Sequence, residues 1–142
     1  IKFDEFTSNN GLDKIKTIGD SYMAVAGLDE NDENHAIKCV NWGKEAIEYI
    51  KDRNKHSGIK WEMRVGVHTG QAVGGVVGKD KLAFDLWGDT VNIAAHLEKK
   101  STANMINVSA HTYDLVKDKY DCEYRGKIEI KGKGYIDMYY VN

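Results

Sequence analysis

The chain has 142 residues, long enough for one domain that buries a core. Hydrophobic residues at 42% and charged residues at 30%, with no long apolar run and no signal-peptide pattern at the start, exclude a disordered chain and a membrane span. A net charge of -2 gives no electrostatic basis for nucleic-acid binding, so any cations for a phosphate ligand must be placed locally. In chain order, Ile1 to Phe6 reads as the tail of a helix that ends near the Asn10-Gly11 turn signal. Lys14–Thr17 and Tyr22–Gly27 read as two strands of a hairpin with Asp20 at its tip, followed by an acidic loop over Asp29–Asn34. From Asn34 to Asn54, Ile37, Val40, Ala46, Ile47 and Ile50 recur at helical spacing.

Trp61–His68 alternates Trp61, Met63, Val65 and Val67 on one face, and the Thr69-Gly70 turn predicts a hairpin with Gln71–Val77. A helix is expected from Gly88 to Lys100, with Asp89 capping its start and two lysines at its negative end. Ile106–Val108 is a short strand, Ser109–Lys119 a short helix, and Cys122–Ile130 with Tyr135–Val141 a closing strand pair. No linker or repeat interrupts the series. The alternation indicates an α+β, ferredoxin-like sandwich, mainly an antiparallel sheet with helices packed on one face. Cys39 and Cys122 stand apart with neither disulfide nor metal spacing, and read as buried thiols of a reducing compartment.

Several residues carry two readings. Asp20, beside Gly19, either serves its turn or supplies one oxygen ligand to a hard cation that substrate phosphates also hold. Lys16 is either a solvated strand lysine or part of a site. Asp85, between Phe84 and Leu86-Trp87, either faces water or is partly desolvated and needs a partner. Asn92 and His96, four apart on a helix, share a face that is either solvated surface or a cleft wall. Lys131-Gly-Lys-Gly134 is a basic turn that could also offer cations to a polyphosphate. No dinucleotide fingerprint, phosphate-binding G-x-x-x-x-G-K-[ST] loop, H-E-x-x-H or G-x-S-x-G motif is present.

Four strings in order resemble the catalytic domains of class III nucleotide cyclases, of the adenylyl type. They are Lys14–Leu28, Arg64–Gly70, Phe84–Ala94 and Ile130–Gly134, so the similarity runs along nearly the whole chain. The resemblance implies catalytic domains that pair head to tail as a homodimer, with active sites at the interface. It implies conversion of ATP to cyclic AMP and pyrophosphate with two Mg²⁺ or Mn²⁺ ions. Asp20 matches the second of two metal-binding aspartates. Lys16 and Asp85 match the pair that reads adenine, where guanylyl cyclases typically carry Glu and Cys. Asn92 matches the residue that orients the ribose, and Lys131 the lysine that holds the terminal phosphates.

Two departures accompany the match. The family's domain opens with a strand and helix that carry the first metal aspartate, so residues 1–142 read as a partial domain, expected to be inactive alone. The family also places an arginine where this chain has His96. A guanidinium stays charged throughout the neutral range, whereas imidazole changes charge within it. The alternatives are a non-catalytic cyclase-homology domain with a nucleotide-binding or regulatory role, which His96 favours, and a guanylyl cyclase, which Lys16 and Asp85 disfavour. The domain is expected in the cytoplasm, on the cytoplasmic side if its parent is membrane-anchored, without itself contacting the bilayer.

Overall fold

Helix α2 (His35–Lys55) is the scaffold on which most of the chain is assembled in the computed structural model, which describes residues 2–28, 32–78 and 83–142. The apolar spacing seen in the sequence wraps this helix so that two groups of side chains leave it in different directions. Val40, Ala36 and Ile47 pack with Val65, Val67, Ile106, Val108 and Val141. Trp42 and Ala46 pack instead with Leu12, Phe3, Phe6 and Tyr22. The second group anchors α1 (Lys2–Asn9) and the ribbon of β1 (Asp13–Ile18) and β2 (Ser21–Val25). A partly buried polar relay joins them: Trp42 Nε1 donates to Thr7 Oγ1 at 2.9 Å, Thr7 Oγ1 lies 2.9 Å from the Tyr22 hydroxyl, and Tyr22 donates to Asp4 at 2.7 Å. Of the acidic loop expected over 29–34, residues 29–31 lie outside the described residues.

The main sheet runs β3 (Arg64–Val67), β6 (Met105–Ser109), β8 (Gly134–Val141), β7 (Cys122–Ile130). Its β6–β8 and β7–β8 pairs are antiparallel and β3–β6 is parallel, so the fold is α+β with a mainly antiparallel sheet, as expected. The hairpin expected between Trp61–His68 and Gln71–Val77 does not form. β3 pairs with β6 instead, and β4 (Val73–Val77) pairs with β5 (Ala83–Trp87) as a separate two-stranded ribbon. Four apolar alternations in 61–68 cannot distinguish a hairpin partner from a strand some forty residues on.

The helices divide between the two faces of the sheet, a refinement of the single face expected. Helices α2 and α4 (Ala110–Val116) cover Val65, Val67, Ile106 and Val108. Helix α3 (Asp89–Lys99) lies on the opposite face, over Ile128, Ile130 and Met138 through Leu97. Gly66, between Val65 and Val67, makes that contact possible. A Cβ there would sit 2.6 Å from the Ala94 carbonyl oxygen, so only glycine lets the helix backbone approach. Asn107 completes the docking. It is fully buried and donates from Nδ2 to the Leu97 carbonyl at 2.9 Å, capping one of the carbonyls a helix end leaves open.

Cys39 and Cys122 are both free thiols, half-buried rather than fully buried as expected. Burial pushes the Cys39 thiol up to about 11, which keeps it protonated and unreactive. Among the described residues no helix is long and apolar enough to cross a membrane.

Candidate active site

Strand β1 does not alternate evenly: its pairing with β2 shifts register between Lys14 and Lys16. An extra residue of this kind bends a strand and re-aims the side chains next to it. Lys16 is turned toward β5, where Nζ donates to Asp85 Oδ2 at 2.9 Å across 69 residues of sequence. Asp85 therefore has the partner its apolar neighbours demand, and it is the more enclosed of the two, with 15% of its side chain exposed against 36% for Lys16. Its other oxygen, Oδ1, accepts from the Leu86 amide at 2.8 Å. The Lys16 bond first, and the Leu86 amide second, hold the Asp85 carboxyl below the usual carboxylate range. Asp85 is thereby a carboxylate acceptor set beside the Lys16 donor.

The second cluster is built on α3 and the β7–β8 turn. Asn92 and His96 do share a helical face, and that face is a wall of a concavity of about 230 Å³. Lys131 lines the same cavity from the turn, so three of the residues singled out in the sequence are brought together. The turn itself needs glycine: Gly132 and Gly134 have φ of +78° and +82°, a region other residues adopt only with strain. Lys133 N closes it on the Ile130 carbonyl at 2.8 Å. The expected capping role of Asp89 is not realised. Gly88 holds the cap position without a side-chain bond, and Asp89, in the first helical turn, pairs with Lys133 at 2.7 Å.

Asp20 is exposed in the turn between β1 and β2, with no side-chain partner among the described residues. No group of three metal-ligating side chains comes together among the described residues. A closed metal cage is thereby absent from that part of the chain. A single free carboxylate fits only an ion held jointly with substrate phosphates, the mode in which Mg²⁺ commonly binds. Lys99, read from the sequence as complementing the helix end, also lines the cavity, as does Lys133 of the basic turn. Helical phase was the available signal for Lys99, three residues beyond His96 and seven beyond Asn92.

This arrangement has relatives. Residues 1–142 match the family described as the adenylate and guanylate cyclase catalytic domain. The chain belongs to that family. An adenylate cyclase of Mycobacterium bovis is 34% identical over 139 residues, 98% of this chain and 31% of that protein. A membrane guanylyl cyclase of Dictyostelium discoideum is 40% identical over 124 residues, covering 87% of this chain and 8% of its own length. The cyclase domain thus spans a third or less of these curated relatives. Among solved structures, the guanylate cyclase domain of a Catenaria anguillulae protein in complex with GTP has a TM-score of 0.91 and 35% identity, over 99% of this chain and 78% of that one. The adenylyl cyclase CyaB from P. aeruginosa has a TM-score of 0.87 and 27% identity, over 99% and 76%. Relatives of both nucleotide types thus accompany one fold.

Proposed function

We propose that this cyclase domain converts ATP to 3′,5′-cyclic AMP and pyrophosphate. The observation that carries the choice of base is the Lys16–Asp85 unit, a donor and an acceptor side by side at 2.9 Å. Adenine's pairing edge offers one ring-nitrogen acceptor and one amino donor, which match Lys16 and Asp85 in turn. Lysine has donors only, so the donors of a base must go to Asp85. Guanine would ask Asp85 to take two adjacent donors, and its Oδ1 is already engaged by Leu86. A core of a rhodopsin-guanylyl cyclase with converted specificity, in complex with ATPαS, is 36% identical with a TM-score of 0.91, which supports a fold able to hold an adenine nucleotide.

Asn92 is proposed to orient the ribose, and Lys131 and His96, which line the cavity, to meet the phosphates. The ribose 3′-oxygen forms a bond to the α-phosphorus as its proton leaves to water. The bond from that phosphorus to the bridging oxygen breaks, and pyrophosphate departs with the electron pair. Such transfers depend on positioning and on cations around the phosphates, so no protein nucleophile is required. Bound Mg²⁺ or Mn²⁺, two ions in the complete site, would stabilise charge on the attacking and leaving oxygens. Asp20 is the residue of this stretch proposed to hold such an ion. The first metal aspartate, by resemblance, belongs to a preceding strand.

The active form is proposed to be a head-to-tail homodimer. Val73, Val76 and Ile18, each about two-thirds exposed, give β1 and the β4–β5 ribbon an apolar surface suited to a second copy. A second reading, cyclisation of GTP, is favoured by the 40% identity to a guanylyl cyclase. The test is to supply purified protein that includes the preceding strand and helix expected to carry the first metal aspartate with ATP or GTP plus Mg²⁺ or Mn²⁺ and measure both cyclic nucleotides. Metal-dependent cyclic AMP that is lost in Asp20→Ala supports the proposal. Predominant cyclic GMP replaces it with the second reading, and no product while nucleotide still binds points to a regulatory domain.

A further inference from the structure

We propose that Lys99 is a substrate-contacting cation of this site and binds the phosphate end of the nucleotide beside Lys131. The inference rests on reading the α3 cavity as the phosphate site. Asn92, His96 and Lys99 fall at successive turns of one helical face, and all three line the cavity that Lys131 of the β7–β8 turn also lines. Among the described residues the one carboxylate on that lining is Asp89, and it is engaged by Lys133 at 2.7 Å. Lys99 and Lys131 have no carboxylate partner among the described residues. Two like charges around one concavity repel unless an anion enters between them.

Lys99 also answers an electrostatic problem of the site. A phosphate chain lying along α3 beyond Asn92 approaches the carbonyl end of the helix, which repels anions. A cation in the last turn, on the cavity side, reverses that field locally. The competing explanation is that Lys99 merely complements the helix end from the solvent. Lys100 provides the comparison: it is adjacent, equally basic and exposed, but does not line the cavity, and its carbonyl is bonded by Arg125 at 2.6 Å. A general charge effect would make the two lysines equivalent.

The experiment titrates inorganic pyrophosphate into the purified protein by calorimetry, for the unaltered chain and for Lys99→Ala, Lys99→Arg and Lys100→Ala. Loss of one charge-assisted contact predicts affinity weakened about tenfold in Lys99→Ala. Lys99→Arg and Lys100→Ala should stay close to the unaltered protein. Lys99→Gln, which keeps a polar chain, should weaken binding like the alanine variant and guards against an unfolded protein. Melting curves without pyrophosphate should match for Lys99→Ala and the parent, whereas a helix-end role would lower the variant's midpoint and leave affinity unchanged. Equal affinity for Lys99→Ala and the parent overturns the role of Lys99 alone, and equal weakening by Lys99→Ala and Lys100→Ala does the same. No pyrophosphate binding by the unaltered protein overturns the phosphate-site reading and this inference with it.

Discussion

Lys16 and Asp85 pair at 2.9 Å, whereas Lys99 and Lys131 line their cavity with no carboxylate partner among the described residues. The first pair spans two ribbons and one of its members is well enclosed; the second is carried by a helix end and a hairpin turn. The proposed role of the closed pair is to discriminate, because a wrong base would leave its polar groups unsatisfied. Open cations instead supply attraction that does not depend on which base the phosphates carry. The two regions should therefore fail differently when altered.

The largest expected effect breaks the comparison directly. Lys131→Ala should lower kcat/KM for ATP and GTP alike, by about a hundredfold or ~2.7 kcal/mol, as loss of a phosphate cation requires. Asp85→Ala should lower it mainly for ATP and narrow the ratio between the two nucleotides. Steady-state kinetics with both substrates checks this, and a Lys131→Ala effect confined to ATP would merge the two regions into one. Next comes His96 on the cavity wall, where the resemblance implies an arginine. Arginines at transferring phosphates elsewhere contribute ~10³–10⁵ in rate. At this half-exposed position His96→Arg in the complete domain should raise kcat about tenfold in a cyclic AMP assay. Equal rates for both proteins would remove His96 from the reaction.

Smaller effects concern the platform beneath the open cations. Asn107→Ala removes the buried amide that holds the Leu97 carbonyl, so chemical denaturation should show a loss of ~1–3 kcal/mol. Catalysis should fall through kcat more than KM, since α3 is displaced while its charges remain. The smallest prediction is a pH effect at the far end of the same strand and helix pair. His68 Nδ1 lies 2.6 Å from Ser109 Oγ, the residue that caps α4. Burial first, and nearby His111 second, hold the His68 imidazole below its usual range. The unfolded chain therefore takes up the proton before the folded one. Stability is unaffected above the ordinary histidine pKa of ~6.5 and declines as pH falls through it toward the lowered folded value. His68→Gln should flatten the melting temperature between pH 7 and 5 relative to the unaltered protein. A variant with an unchanged slope would show that His68 does not titrate with folding.

What could be read in advance follows the range of each interaction. Helix α2 was plain from Val40, Ala46, Ile47 and Ile50, because its burial repeats within every turn. The shared face of Asn92 and His96 was legible for the same reason, and Lys99 obeys the same phase. Strand β5 was not assigned, since Ala83–Trp87 has no alternation that separates it from a loop, and β4 opposite it is rich in glycine. The parallel pairing of β3 with β6 and the passage of α3 across the other face depend on Gly66 and Asn107, whose meaning is purely tertiary. The Lys16–Asp85 contact could be named only through family likeness. The register shift that turns Lys16 toward β5 has no local signature.

The central claim is that the Lys16–Asp85 unit chooses the base, and one measurement addresses it: the ratio of kcat/KM for ATP to that for GTP. It should be determined in the unaltered protein and in Lys16→Glu/Asp85→Cys. The account predicts a preference for ATP in the first and a shift toward GTP of at least about tenfold in the second, as expected when a site's own polar groups are mismatched to the base. An unaltered ratio in the double variant, with activity retained, would contradict it.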